Sequence, residues 1–187
     1  MPRNPKSHTS DARLPAQDRT IVLVGLMGAG KSTVGRRLAV RLGMNFIDAD
    51  EEIERAAGMS VAEMFKKFGE AAFRDGERRV IARIIAGPPC VLATGGGAFV
   101  NAETRALILA EALAIWLDAD VDTLAARVAR RSTRPLLVGK DPRVVLTDLA
   151  AIRNPLYAEA PLRVPSASAP HEVTVDAIMK ALETCQP

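Results

Sequence analysis

Thr20-Ile21-Val22-Leu23-Val24-Gly25-Leu26-Met27-Gly28-Ala29-Gly30-Lys31-Ser32-Thr33 is the stretch from which the rest of the chain can be read. Residues 20–24 are an apolar, β-branched run with the length and composition of a buried strand. From Lys31 the spacing turns helical, with Val34, Leu38 and Leu42 on one stripe and Gly43 as the stop. Between strand and helix, Gly25 to Ser32 matches G-x-x-x-x-G-K-[ST] in full. The glycines let backbone N–H groups turn toward an anion without Cβ clashes, and the helix behind them adds its positive N-terminus. Lys31 is a point charge suited to β- and γ-phosphates, and Ser32 offers a hydroxyl to Mg²⁺. A Gly-rich turn that binds nothing is the bland alternative. The strand before and the helix after are the context that favours a phosphate cradle, with Gly28, Ala29, Gly30, Lys31, Ser32 and Thr33 as its candidate residues.

Outward from the cradle, strands and helices alternate. Residues 45–48 read as a second strand and 51–57 as a helix ended by Gly58. Ser60-Val61-Ala62-Glu63 is a capping box. It opens a helix to about residue 86 with a break near Gly69, terminated by Gly87-Pro88-Pro89. Residues 90–93 form a third strand running into Gly95-Gly96-Gly97. Asn101 caps a helix to about residue 111, and 113–117 form a fourth strand followed by loop and helix to 131. Residues 132–140 are polar, basic and hold Pro and Gly, which reads as a mobile loop. Pro142 opens a helix to about residue 159 that Pro155 kinks or ends. Residues 162–164 form a fifth strand and 171–183 a last helix. The alternation predicts an α/β fold in one domain from residue 20 to 187, with a parallel sheet covered on both faces.

Bulk properties narrow the function classes. The chain has 187 residues, 48% hydrophobic and 25% charged, which suits one globular core. A net charge of +3, with one Trp, one Tyr and five Phe, gives no basic aromatic platform for nucleic acid. Cys90 and Cys185 lie far apart, and Cys90 reads as a small core residue. No apolar run approaches the roughly 20 residues of a membrane span. Residues 1–19 are polar, lack an apolar signal core and read as a disordered tail. A transit peptide is the lesser alternative there, opposed by Asp11 and Asp18. The expectation is a soluble cytoplasmic protein.

Three further features carry chemistry. Asp48-Ala49-Asp50 follows the second strand at the sheet edge where ligands of open α/β sheets gather. Spaced i and i+2 on extended chain, both carboxylates would point into one cleft, one toward Mg²⁺ and one toward a substrate hydroxyl. Asp50 as a plain helix cap is the competing reading. Gly95-Gly96-Gly97 implies either close approach of a ligand to the backbone or a tight turn. Arg74, Arg134 and Arg153 are candidates for carboxylate or phosphate recognition, though by composition each is an ordinary surface arginine. Glu77, three residues beyond Arg74 on a helix, could hold its guanidinium. Arg78, Arg79 and Arg83 read as a solvated face. GTPases, motors and small-molecule kinases all use such a cradle. No N-K-x-D element supports guanine, and 187 residues leave little room for a motor.

In this order the segments resemble the shikimate kinases: Gly-Ala-Gly-Lys-Ser at 28–32, Asp48-x-Asp50, Phe73-Arg74, Gly95-Gly96-Gly97, Arg134-Pro135-Leu136-Leu137 and Arg153-x-Pro155-Leu156-Tyr157. The match runs over about residues 21 to 157. The resemblance implies the three-layer αβα fold of the nucleoside-monophosphate kinases, with a five-stranded parallel sheet and a mobile lid near 132–140. It implies transfer of the γ-phosphate of ATP to shikimate, with Mg²⁺, by a monomer. Residue by residue it implies that Gly28 to Thr33 and Lys31 hold the phosphates, and that Ser32 ligates Mg²⁺ with Asp48 behind it. Asp50 would contact the shikimate hydroxyls as the catalytic base, Arg74 and Arg153 would bind the carboxylate, and Gly95, Gly96 and Gly97 would line the acceptor. Arg134 would reach the ATP phosphates from the lid. The adenine-side loop would lie near 164–170, with Pro170 and Arg127 as its candidate residues. Met27 stands in the cradle where the family often has Pro or Met, and Asp75-Gly76 after Arg74 departs from the longer side chains of many members. The alternatives are another small-molecule kinase, for gluconate or a nucleoside monophosphate, or a nucleotide-binding module without catalysis.

Overall fold

Ile21–Val24 (β1) is wholly buried, with hydrogen-bonded strands on both edges and both faces covered. The computed structural model describes residues 15–129, 141–166 and 169–184, and places β1 at the centre of a five-stranded sheet. The order is β2 (Asn45–Asp48), β3 (Cys90–Ala93), β1, β4 (Leu113–Asp118) and β5 (Leu162–Pro165), with every pairing parallel. β3 and β4 carry the same continuous apolar run as β1, as strands covered on both faces must. The edge strands β2 and β5 are half-exposed.

Seven α-helices connect the strands among the described residues: α1 (Lys31–Leu42), α2 (Ala49–Ala57), α3 (Val61–Ile85), α4 (Ala102–Glu111), α5 (Val121–Ala129), α6 (Pro142–Tyr157) and α7 (His171–Thr184). From β1 the chain steps through α1 to β2 at one edge of the sheet. Every later crossover steps back the other way. Right-handed crossovers therefore put α1 on one face and α3 to α6 on the other. α7 packs on α1, where Arg37 pairs with Glu172 and Arg41 with Asp176, both at 2.8 Å. The neighbouring strands β1 and β3 thus send their C-terminal loops to opposite faces, which opens a crevice between them.

Local chemistry sets the helix ends. Ser60 and Glu63 form the capping box of α3, Asn101 caps α4 through the Thr104 N–H, and Asp141 caps α6 with Pro142 in its first turn. The break near residue 69 is present: Gly69 has φ 79° and ψ 172° inside the span of α3. Pro155 does not end α6: it lies inside the helix, which runs on to Tyr157. Two expectations are corrected. α2 begins at Ala49, not at residue 51, and its cap is Asp48, whose side chain accepts from the Asp50 N–H. Part of the segment read as tail is held to the sheet layer. Pro15–Asp18 is a 3-10 helix, Gln17 Nε2 donates to the Leu42 carbonyl at 2.6 Å, and Arg19 Nη2 donates to the Ala112 carbonyl at 3.2 Å. Those carbonyls lie at helix ends, where acceptors are left over. Residues 1–14, and the lid expected near 132–140, lie outside the described residues.

Candidate active site

The cradle is shaped by what stands behind it. A Cβ on Gly25 would lie 2.6 Å from the Leu117 carbonyl oxygen, so the chain can leave β1 beside β4 only as glycine. Gly30 has φ 90° and starts α1 without a side-chain cap, whereas α2, α3, α4 and α6 each start under one. The first N–H groups of α1 are accordingly left for an anion. Lys31 is 9% exposed, and its Nζ donates to the carbonyls of Gly25 at 2.7 Å and Leu26 at 2.9 Å. This folds the ammonium over the cradle. Ser32 Oγ donates to Asp48 Oδ2 at 2.6 Å, and Asp48 Oδ1 accepts from the Asp50 N–H at 3.1 Å.

Asp48 and Asp50 do face one cavity, but not as residues on extended chain. Asp48 ends β2 and Asp50 sits in the first turn of α2. The cavity, of about 450 Å³, is lined by Gly28, Gly30, Lys31, Ser32, Thr33, Asp48, Asp50, Gly95 and Gly96 together with Thr94 and Arg127. Ala29 is buried and is not part of the lining. Its opposite wall is the triglycine at the end of β3, beside the cradle in the β1–β3 crevice. A Cβ on Gly96 would lie 3.5 Å from the Met27 nitrogen and 3.6 Å from Arg153 Nη1.

Two glycines of that wall make room for a charged group. A Cβ on Gly95 would come within 2.9 Å of Asp50 Oδ1, and one on Gly97 within 2.2 Å of Arg74 Nη2. Arg74 Nη1 donates to Glu77 Oε2 at 2.6 Å, so the pairing expected from their spacing is made. Glu77 is 1% exposed, and burial pushes its carboxyl above the ordinary range against the opposing pull of Arg74. Arg153 Nη1 donates to the Gly96 carbonyl at 3.2 Å, and the Tyr157 hydroxyl donates to the same oxygen. Burial pushes the Tyr157 hydroxyl up to about 12, so it stays a donor.

Arg74, Arg153 and Gly97 line a second cleft rather than the first, with the triglycine between the two. Arg78 lines it too. It bridges Asp75 at 2.8 Å and Glu103 at 3.0 Å, and so departs from the solvated face expected of it. Arg134 lies outside the described residues. Arg127, which the resemblance placed with the adenine-side loop, donates to the Gly28 carbonyl at 3.2 Å, and two residues close to the site had no role assigned from sequence, Ser166 and Tyr157. Tyr157 closes the Arg153 motif and could have been found there. Ser166 falls within the adenine-side loop expected near 164–170, but nothing in Pro165-Ser166-Ala167 singles it out.

Comparison with known proteins decides the family. The family model described as shikimate kinase matches residues 27–183, a span that holds both clefts. The chain belongs to the shikimate kinase family. A shikimate kinase of Caulobacter vibrioides is 62% identical over 173 residues, covering 92% of this chain and 86% of that protein. That of Zymomonas mobilis is 59% identical over 164 residues, covering 88% and 93%. Among solved structures, the shikimate kinase of Acinetobacter baumannii in complex with shikimate superposes with a TM-score of 0.85 at 37% identity, covering 90% of this chain and 95% of that one. As in any shikimate kinase, the fold is a P-loop α/β architecture and the chain is an ATP-dependent kinase acting on an alcohol.

Proposed function

We propose that this chain transfers the γ-phosphate of ATP to the 3-hydroxyl of shikimate, giving shikimate 3-phosphate and ADP on the route to chorismate and the aromatic amino acids. The observation that carries the reading is the triglycine wall. On one side it borders the cradle and Asp50, on the other the guanidinium groups of Arg74 and Arg153. Shikimate offers a carboxylate at one end and hydroxyls at the other, and the wall separates groups of matching kinds.

ATP lays its phosphates on the N–H groups of Gly28 to Thr33, and Lys31 exchanges two carbonyl partners for phosphate oxygens. Arg74 and Arg153 take the shikimate carboxylate, the geometry for which the planar guanidinium is suited. The backbone of Gly95, Gly96 and Gly97 lies along the acceptor. Asp50 orients the 3-hydroxyl and accepts its proton as that oxygen bonds to the γ-phosphorus and the bond to the ADP oxygen breaks. The work is alignment and charge neutralisation, with no covalent intermediate on the protein. Arg134, in the segment 132–140 outside the described residues, is the residue that the resemblance assigns to charge on the transferring group.

The Ser32 hydroxyl and the Asp48 carboxylate, 2.6 Å apart at the cradle, are hard oxygen donors that fit Mg²⁺. Among the described residues no three His, Cys, Asp or Glu side chains form a metal cage. An ion there would be held through one or two protein oxygens, phosphates and water. When bound it neutralises charge on the β- and γ-phosphates. The reading includes a cytoplasmic monomer; no helix among the described residues is long and apolar enough to cross a membrane.

The test is ADP release from purified protein with ATP and Mg²⁺, with and without shikimate. Release that depends on shikimate, and not on gluconate or a nucleoside monophosphate, is the expected result. Equal release without shikimate, or stimulation by gluconate instead, overturns it.

A further inference from the structure

Ser166 follows the last residue of β5 and is 1% exposed. Its N–H donates to the Asp118 carbonyl at 2.6 Å, which fixes it to β4. Its hydroxyl donates to the carbonyl of Ala29 at 2.8 Å, 137 residues earlier in the chain. The same hydroxyl oxygen accepts from Arg127 Nη1 at 3.1 Å, and Arg127 Nη1 also donates to the Gly28 carbonyl at 3.2 Å. Two consecutive cradle carbonyls are thus tied by one hydroxyl and one guanidinium.

A tether on a carbonyl also aims the next amide. In a trans peptide the C=O and the following N–H point in opposite directions, and among the described residues no peptide is cis. Drawing the Ala29 oxygen toward β5 therefore turns the Gly30 N–H the other way. Gly30 lines the cavity. It has φ 90° and no Cβ, so its own backbone restrains it little and an external hold is needed.

We propose that Ser166 is a positioning residue for ATP: its hydroxyl, anchored by Arg127, fixes the Ala29–Gly30 peptide so that the Gly30 N–H meets the phosphates. The inference rests on the phosphotransfer reading above, and it adds a residue far outside the cradle to the phosphate site. A hydroxyl that merely satisfies buried polar groups would support the fold without favouring phosphate over any other ligand.

Calorimetric binding of tripolyphosphate with Mg²⁺, and separately of shikimate, separates these cases. Tripolyphosphate has no adenine, so its affinity reports the cradle alone. In Ser166→Ala its Kd is expected to rise about fivefold to tenfold, the worth of one neutral hydrogen bond, with shikimate affinity unchanged. Ser166→Thr and Ser166→Val are close in size and differ by the hydroxyl; Thr should bind tripolyphosphate more tightly than Val. This pair decides the matter if the alanine variant does not fold. Wild-type tripolyphosphate affinity in Ser166→Ala, an equal loss for both ligands, or identical behaviour of Thr and Val overturns the proposal. If wild type binds no shikimate but the tripolyphosphate effect holds, the acceptor reading fails and Ser166 keeps its role.

Discussion

Asp48 and Asp50 are two residues apart and take different places. Asp48 spends one oxygen on Ser32 and the other on the Asp50 N–H, which suits a group standing behind a metal. Asp50 faces the position of Gly95 across the cavity. Asp50→Asn should keep its shape and lose proton acceptance. Turnover should fall by about 10²- to 10⁴-fold, with ADP affinity within about twofold of wild type by titration; turnover near wild type would remove Asp50 as the base. Arg153 approaches Gly96 on the other side of the wall. Arg153→Ala should raise the shikimate KM about tenfold or more, the scale of a charge-assisted hydrogen bond, and leave the ATP KM nearly unchanged. Steady-state kinetics with each substrate varied checks this, and equal effects on both would deny it a carboxylate contact. The sequence pattern already named these residues. It misread how Asp50 is presented, because two aspartates competed for one cap and the deciding partner, Ser32, lies 16 residues away.

α3 holds two glycines with opposite consequences. Gly69 has φ 79° and ψ 172°, a region that is essentially glycine's alone, and Gly69→Ala should cost about 1–3 kcal/mol. Gly76 is helical, and a Cβ there would meet nothing within 4 Å. Gly76→Ala should therefore stabilise by about 1 kcal/mol and raise Tm by about 2–4 °C. Thermal melts of both variants are the measurement, and a Gly76→Ala protein that melts lower would point to a role for the bare backbone. Element ends were legible wherever one residue type settles them: the Ser60–Glu63 box, the Asn101 and Asp141 caps, and the break at Gly69 all follow local chemistry. The ordering of Pro15–Asp18 was not legible. It depends on Gln17 and Arg19 finding helix-end carbonyls at Leu42 and Ala112, a matter of tertiary placement.

Alternation of strands and helices predicts a covered parallel sheet but not its order, and the order makes the site. β1 and β3 are neighbours although about 70 residues separate Leu23 from the Thr94 that bonds to it. Their adjacency sets cradle against triglycine, as the contact of β4 with β5 sets Ser166 behind the cradle. Among the described residues the buried charged side chains are Lys31 and Glu77, and both serve this region. Burial of Glu77 should therefore be visible in the stability of the whole chain. Its ordinary pKa is 4.5, raised in the folded state by burial, with Arg74 opposing and Asp50 and Glu70 adding to the rise. Well below pH 4.5 the carboxyl is protonated folded and unfolded, and contributes no difference. As pH rises, the unfolded chain releases its proton first, so folded stability is lost up to the raised pKa and is constant above it. Glu77→Gln removes that loss. Its Tm should match wild type near pH 4 and exceed it at neutral pH, while the shikimate KM rises because Arg74 loses its charged partner. Melts across pH 4–8, with shikimate kinetics at neutral pH, test both halves. A Tm difference that does not change with pH, or a variant that melts lower at neutral pH, would show that the Arg74 pairing outweighs the burial of Glu77.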